Sequence, residues 1–263
     1  MSLAGVHDPD DVDDPDVAWR VDALSGLRLP PGVVERPDGT LETVGVRVRA
    51  RRGVSLHACL ELAVNIMGDA RLSSGRQLAA LAGALPGMRL TVAPDQVTDL
   101  LMEVRGGGYF ARRILYRGDG DLKVLLNARL DAKPPQQGLG TASQTVEAAA
   151  AVRLGVDRLE AIAASLDGDV GWLVLPRWGY DAQLEQRLVD ELPKQWSRLR
   201  RLAQVLEQDG GWEWWEQHGA ILDVEFDLIQ EHGARRRLRA YLDARLATGR
   251  LLPTQLGSHP VAD

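Results

Sequence analysis

Gly138-Leu139-Gly140 is the stretch of this sequence best suited to hold an anion. Two glycines at the start of a predicted helix gather backbone N–H groups at the positive end of the helix dipole, where a phosphate is attracted. Glycine matters there because a side chain would keep the phosphate away from the backbone. The same pair also suits a plain tight turn. A dinucleotide fingerprint needs a third glycine and a later acid, and the third glycine is absent. Gly106-Gly107-Gly108 is not a phosphate loop, since no helix and no Lys-Ser or Lys-Thr follows it. For metals, His57 stands near Cys59, while His218 and His232 flank a tryptophan-rich segment without cysteine partners. Neither makes a ligand set, and no metal is expected.

The elements that must position the turn are a strand, a helix and a second strand. Leu122 to Leu130 reads as a strand, and the chain breaks at Lys133-Pro134-Pro135. A helix follows from about Gly140-Thr141 to Leu154, rich in alanine and stopped by Gly155. Val156 to Ala164 has strand character, which completes a βαβ-like crossover. Upstream, the alternating valines of Leu41 to Arg49 predict one strand. Leu56, Leu60, Val64 and Met67 predict a helix over 55–67, capped by Ser55 and ended by Gly68. A second helix is expected over 74–85 and a short strand over 88–93. Leu100 to Arg105 and Tyr109 to Arg117 then form a hairpin. Downstream, Gly171 to Leu175 suits helix or strand. Glu191 to Glu207 reads as one helix, with Trp196, Leu199, Leu202 and Leu206 on one face. Trp212 to Trp215 opens a short helix, Val224 to Leu228 is extended, and Ala234 to Leu246 is a final helix.

This order of elements resembles the GNAT superfamily of N-acetyltransferases. The match runs from Leu122 to Asp181 and is looser over Val44 to Arg117. The family carries a Gln/Arg-x-x-Gly-x-Gly/Ala turn between its fourth strand and third helix. The matching window is Pro135-Gln136-Gln137-Gly138-Leu139-Gly140, with both glycines in place and Pro135 departing from the first position. Leu154-Gly155-Val156 resembles the family's helix end, and Trp178-Gly179-Tyr180 its late Gly-Phe pair. The resemblance implies an α/β (α+β) fold: a mixed, mostly antiparallel central sheet flanked by helices, here with an appended C-terminal helical unit.

It implies acetyl-CoA or another acyl-CoA as co-substrate. The pyrophosphate would lie on Gln136, Gln137, Gly138, Leu139, Gly140 and Thr141. The pantetheine arm would add like a strand beside Asn127, Ala128, Arg129, Leu130 and Asp131. An amine then attacks the thioester directly, through positioning and a base. Glu103 and Asp131 are the candidate bases, with Glu160 behind them; each also reads as a solvated or salt-bridged carboxylate. The family's thiolate-protonating tyrosine would fall at Leu175, where no phenol stands. Tyr109 and Tyr116 replace it only if the fold brings them close. Ser165 and Asp167 lie near the position of a family asparagine.

Composition narrows the setting. One cysteine in 263 residues excludes an internal disulfide and fits a reducing, cytoplasmic compartment. The sequence shows no signal peptide and no membrane-spanning run. The net charge of −6 makes nucleic acid an unexpected partner, and Arg47 to Arg52 reads as a solvated strand edge. The expected division is an acidic, largely flexible N-terminal tail over 1–40, a GNAT-like domain over 41–191 and a tryptophan-rich helical extension over 192–263. The tryptophans either pack that extension onto the core or offer a patch to a protein partner. Two readings follow. One is an N-acyltransferase acting on a small-molecule or protein amine. The other is a catalytically degenerate GNAT-like module that serves as a ligand-binding, protein-binding or structural component.

Overall fold

A computed structural model describes residues 20–21, 24, 26–96, 98–132, 138–163, 171–228 and 233–248. Its strands are β1 (Arg20–Val21), β2 (Arg28–Leu29), β3 (Val33–Glu35), β4 (Leu41–Thr43), β5 (Arg47–Ala50), β6 (Arg89–Asp95), β7 (Asp99–Gly106), β8 (Tyr109–Arg117), β9 (Lys123–Ala132), β10 (Arg158–Ala163) and β11 (Leu222–Asp227). The α-helices are α1 (Leu56–Met67), α2 (Gly75–Leu81), α3 (Leu139–Leu154), α4 (Gly171–Arg177), α5 (Gln186–Glu191), α6 (Leu202–Leu206), α7 (Gly211–His218) and α8 (Ala234–Ala247). Seven strands form the central sheet in the order β11-β10-β9-β8-β7-β6-β5. Only β5–β6 and β9–β10 pair in parallel, so the sheet is mixed and mostly antiparallel, with helices against it.

Local chemistry sets the helix ends. The Ser55 side chain accepts from the Ala58 amide at the start of α1, and Gly68 ends it in the left-handed region at φ 63°. Ser74 and Gln77 form a reciprocal capping box on α2. Gln77 Nε2 also donates to Thr40 Oγ1 at 2.7 Å, which ties the helix to the β3–β4 hairpin. Helix α2 stops at Leu81, short of the expected Leu85, because Gly83 turns left-handed at φ 59°. A Cβ on Gly83 would lie 2.5 Å from the Ser143 carbonyl of α3. Gly83→Ala is therefore expected to cost about 2–3 kcal/mol, from left-handed strain and overpacking together. A urea midpoint indistinguishable from wild type would contradict this.

Two expected elements are divided. Leu41 to Arg49 is not one strand: β4 pairs with β3, Gly45 turns at φ 78°, and β5 joins the central sheet. The valine alternation is real, but the glycine lets the chain change partner. Glu191 to Glu207 is not one helix either. Pro193 is extended (φ −51°, ψ 145°) and has no N–H to continue a helix. Arg201 bridges Gln183, and the Leu202 amide donates to the Ala182 carbonyl at 2.9 Å.

The two faces of the sheet differ. Leu90, Met102, Val104, Leu115, Leu125 and Leu159 line one face, and all are buried. Helices α1, α2 and α3 pack on that side. Helix α3 is buried nearly all round, as a helix between a sheet and an outer layer must be. The stretch beyond residue 191 carries helices, and also β11, which pairs along its whole length with β10. The chain beyond residue 191 therefore adds a strand to the sheet formed by β5 to β10. Among the described residues no helix is long and apolar enough to cross a membrane.

Candidate functional site

The parallel pair β9–β10 opens partway along. Pairing runs from Val124↔Arg158 to Asn127↔Ala161 and stops there. Strand β10 continues to Ala163 against β11, and β9 continues to Ala132 against β8. At the same point β9 is irregular: Arg113 faces Asn127 and Arg112 faces Arg129, so Ala128 is one residue extra. A bulge of this kind bends and twists its strand. From Ala128 onward, the β9 edge toward β10 has no strand partner among the described residues. It lies at the carboxyl ends of two parallel strands, where open α/β sheets hold ligands.

Helix α3 begins beside this opening. It is the third α-helix among the described residues, and β9 is the fifth strand of the central sheet in chain order, where the resemblance implies a fourth. Gly138 takes φ 73°, a left-handed value that glycine adopts without strain. Gly140 is a glycine for another reason: a Cβ there would lie 3.0 Å from the Trp178 indole. Leu139 and Thr141 are buried in the first turn. Pro135, Gln136 and Gln137 lie outside the described residues, as do Ser165, Asp167 and His232.

A buried polar network sits at the vertex of the opening. Arg113 donates from Nε to Glu147 Oε2 at 2.9 Å, and its Nη2 lies 2.8 Å from the same oxygen. Asn127 Nδ2 donates to Glu147 Oε1 at 2.7 Å and to the Tyr180 hydroxyl at 2.9 Å. The Tyr180 hydroxyl donates to Gln144 Oε1 at 3.3 Å. Tyr109 and Arg113 Nη2 both donate to Ser143 Oγ, at 2.9 and 3.0 Å. Arg113, Glu147 and Tyr180 are fully buried, and Asn127 is 4 % exposed. Burial, the largest single influence, would lower the Arg113 pKa, but the charges and hydrogen bonds of Glu147 and Tyr109 together raise it above its ordinary value. Burial, with the Glu147 charge behind it, pushes the Tyr180 phenol well above its ordinary value. Asn127 Oδ1 and Gln144 Nε2 are buried and find no partner among the described residues.

Asn127 lies on β9 at the last pair of the β9–β10 ladder, and its neighbours in the network were not expected. Nothing in the spacing of Arg113, Glu147 and Tyr180 announces that three elements bring them together. A glutamate in the middle of an alanine-rich helix was the one available signal. Leu175 is buried and offers no phenol, while Tyr180 supplies one five residues later. Tyr109 and Tyr116 do not meet. Tyr109 joins the network, and Tyr116 lies on the other face, donating to Glu160 Oε2 at 2.7 Å. Burial and that bond push the Tyr116 phenol up to about 12.

The candidate bases are not in the network. Glu103 lies on the sheet face away from the helices, where Arg112 contacts it at 2.8 Å and Arg105 at 3.8 Å. Asp131 contacts Arg129 at 2.8 Å on the same face. No group of His, Cys, Asp and Glu among the described residues is arranged to hold a metal.

The tryptophans pack. Trp196, Trp214 and Trp215 are buried. Trp215 Nε1 donates to the Trp172 carbonyl at 2.8 Å, and His218 stacks on Trp214 at 4.7 Å. Set against known protein-family models, curated proteins and solved structures, the chain matches none.

Proposed function

We propose that this chain is a divergent GNAT-fold protein that binds an acyl-CoA in the β9–β10 opening and transfers the acyl group to an amine. The observation that carries the reading is the end of β9–β10 pairing at Asn127↔Ala161, where Ala128 bulges. The free β9 edge offers backbone groups along which a pantetheine arm can pair as an added strand. The amino end of α3 lies at the same end of the opening and favours a pyrophosphate. Asn127 Oδ1 adds a buried acceptor at the vertex. Transfer would then rest mainly on holding the amine against the thioester.

A second reading is a GNAT-like module that binds without turning over. Leu175 at the position of the missing phenol favours it, as does the pairing of Glu103 and Asp131 with arginines.

The test is calorimetry of acetyl-CoA with the wild type and Gly138→Asp. Aspartate tolerates left-handed backbone better than most residues and stabilises a helix start, yet its carboxylate repels a pyrophosphate. The variant is expected to stay folded and to bind at least about tenfold more weakly, the loss from roughly 1.4 kcal/mol. A folded wild type that does not bind acetyl-CoA overturns the acyltransferase reading and favours a module that binds another partner. Binding without turnover on a panel of amines selects the second.

A further inference from the structure

We propose that the sheet face turned away from the helices binds single-stranded nucleic acid. The strand register lays its side chains out in rows. One row crosses five strands as Arg47, Arg89, Arg105, Phe110 and Asp131. The next runs Arg49, Thr91, Glu103, Arg112 and Arg129. Six arginines therefore share one surface with two carboxylates. All six are exposed. The two carboxylates are already engaged, Glu103 by Arg112 and Asp131 by Arg129. The surface keeps a surplus of positive charge on a chain whose net charge is −6.

This arrangement works against folding. Like charges directly opposite on neighbouring strands destabilise a sheet, and Arg47, Arg89 and Arg105 stand side by side. A bound polyanion would relieve that repulsion.

The shape and the residue type point to nucleic acid rather than an acidic peptide. Five strands at about 4.8 Å spacing make a face roughly 19 Å across, wide enough for several nucleotides. A flat sheet face exposes side chains but no backbone edge, so a peptide gains no strand pairing there. Every cation is an arginine, whose planar group forks onto phosphate oxygens and also stacks. Arg105 lies 4.2 Å and Arg129 5.6 Å from the Phe110 ring centroid. Two guanidinium groups thus already lie over an aromatic ring, a contact of the kind they make with unpaired bases. A face five strands wide is too broad to enter a duplex groove, which favours single strands.

The test is fluorescence anisotropy of the full chain with labelled oligo-dT and oligo-rU of about 15 nucleotides, a length suited to a face of this size. Binding is expected at about 50 mM salt and should weaken steeply by about 200 mM. Arg89→Ser with Arg105→Ser and Arg129→Ser removes three contacts. It should weaken binding by about tenfold or more and reduce the salt slope by about 2. Circular dichroism checks the fold. Arg47→Ser with Arg49→Ser, on the edge strand, gives a second and milder variant with the same direction of effect. No binding at about 50 mM salt overturns the proposal, as does wild-type affinity in both folded variants. A poly-aspartate peptide that binds as tightly as the oligonucleotides also overturns it, and marks the face as a site for acidic protein segments.

Discussion

Glu147→Ala is expected to cost about 3–5 kcal/mol of stability, because it leaves the fully buried Arg113 guanidinium without its counter-ion. Arg113→Met should cost a similar amount, since it strands the Glu147 carboxylate in the same low-dielectric interior. Arg113→Met combined with Glu147→Leu removes both charges and should recover most of the loss. Urea denaturation of the two single variants and the double variant closes a thermodynamic cycle. A Glu147→Ala loss below about 1 kcal/mol would mean that water reaches the pair, contrary to its burial. Glu147 and Tyr180 both hold the Asn127 amide, so Glu147→Gln, which also leaves the Arg113 charge unpaired, should lower stability and loosen the vertex of the opening together.

Trp215→Ala is expected to cost about 3–5 kcal/mol, as large buried aromatics do when truncated. Trp215 is fully buried, packs edge-on to Trp172 at 6.1 Å, and donates its indole N–H to the Trp172 carbonyl. A Cβ on Gly219 would lie 2.1 Å from the Trp172 ring, so α4, α7 and the turn after α7 are locked around these two rings. Trp215→Phe should cost less, about 1–3 kcal/mol, chiefly from the unpaired carbonyl. Because β11 completes the central sheet, the loss should appear in one cooperative transition. An early separate transition for Trp215→Ala would show that the C-terminal helices unfold apart from the sheet.

Most single elements were legible in the sequence for local reasons. Ser55 and Gly68 bound α1, and Ser74 with Gln77 starts α2, because capping depends on residues within one turn. The β7–β8 hairpin followed from two strand-like runs around Gly106-Gly107-Gly108, and the α3 helix from its alanine content and Gly155. Local signals failed where the chain changes partner. The alternation of Leu41 to Arg49 carries no mark of which sheet each half joins. The apolar spacing of Glu191 to Glu207 outweighed Pro193 until the structure showed an extended chain there.

The sequence by itself determined a mixed α/β chain, a glycine-bounded turn into a helix, and one asparagine on the strand before it, since these depend on neighbours in the chain. Tertiary structure alone decided where β9 and β10 part, since that depends on the register of three strands and one extra residue at Ala128. It alone placed Arg113, Glu147 and Tyr180 at Asn127, because they come from separate elements. It also gathered the arginines onto one face, for a simple reason. Net charge counts side chains without regard to direction, whereas strand pairing sends every second residue to the same side and lines up the rows.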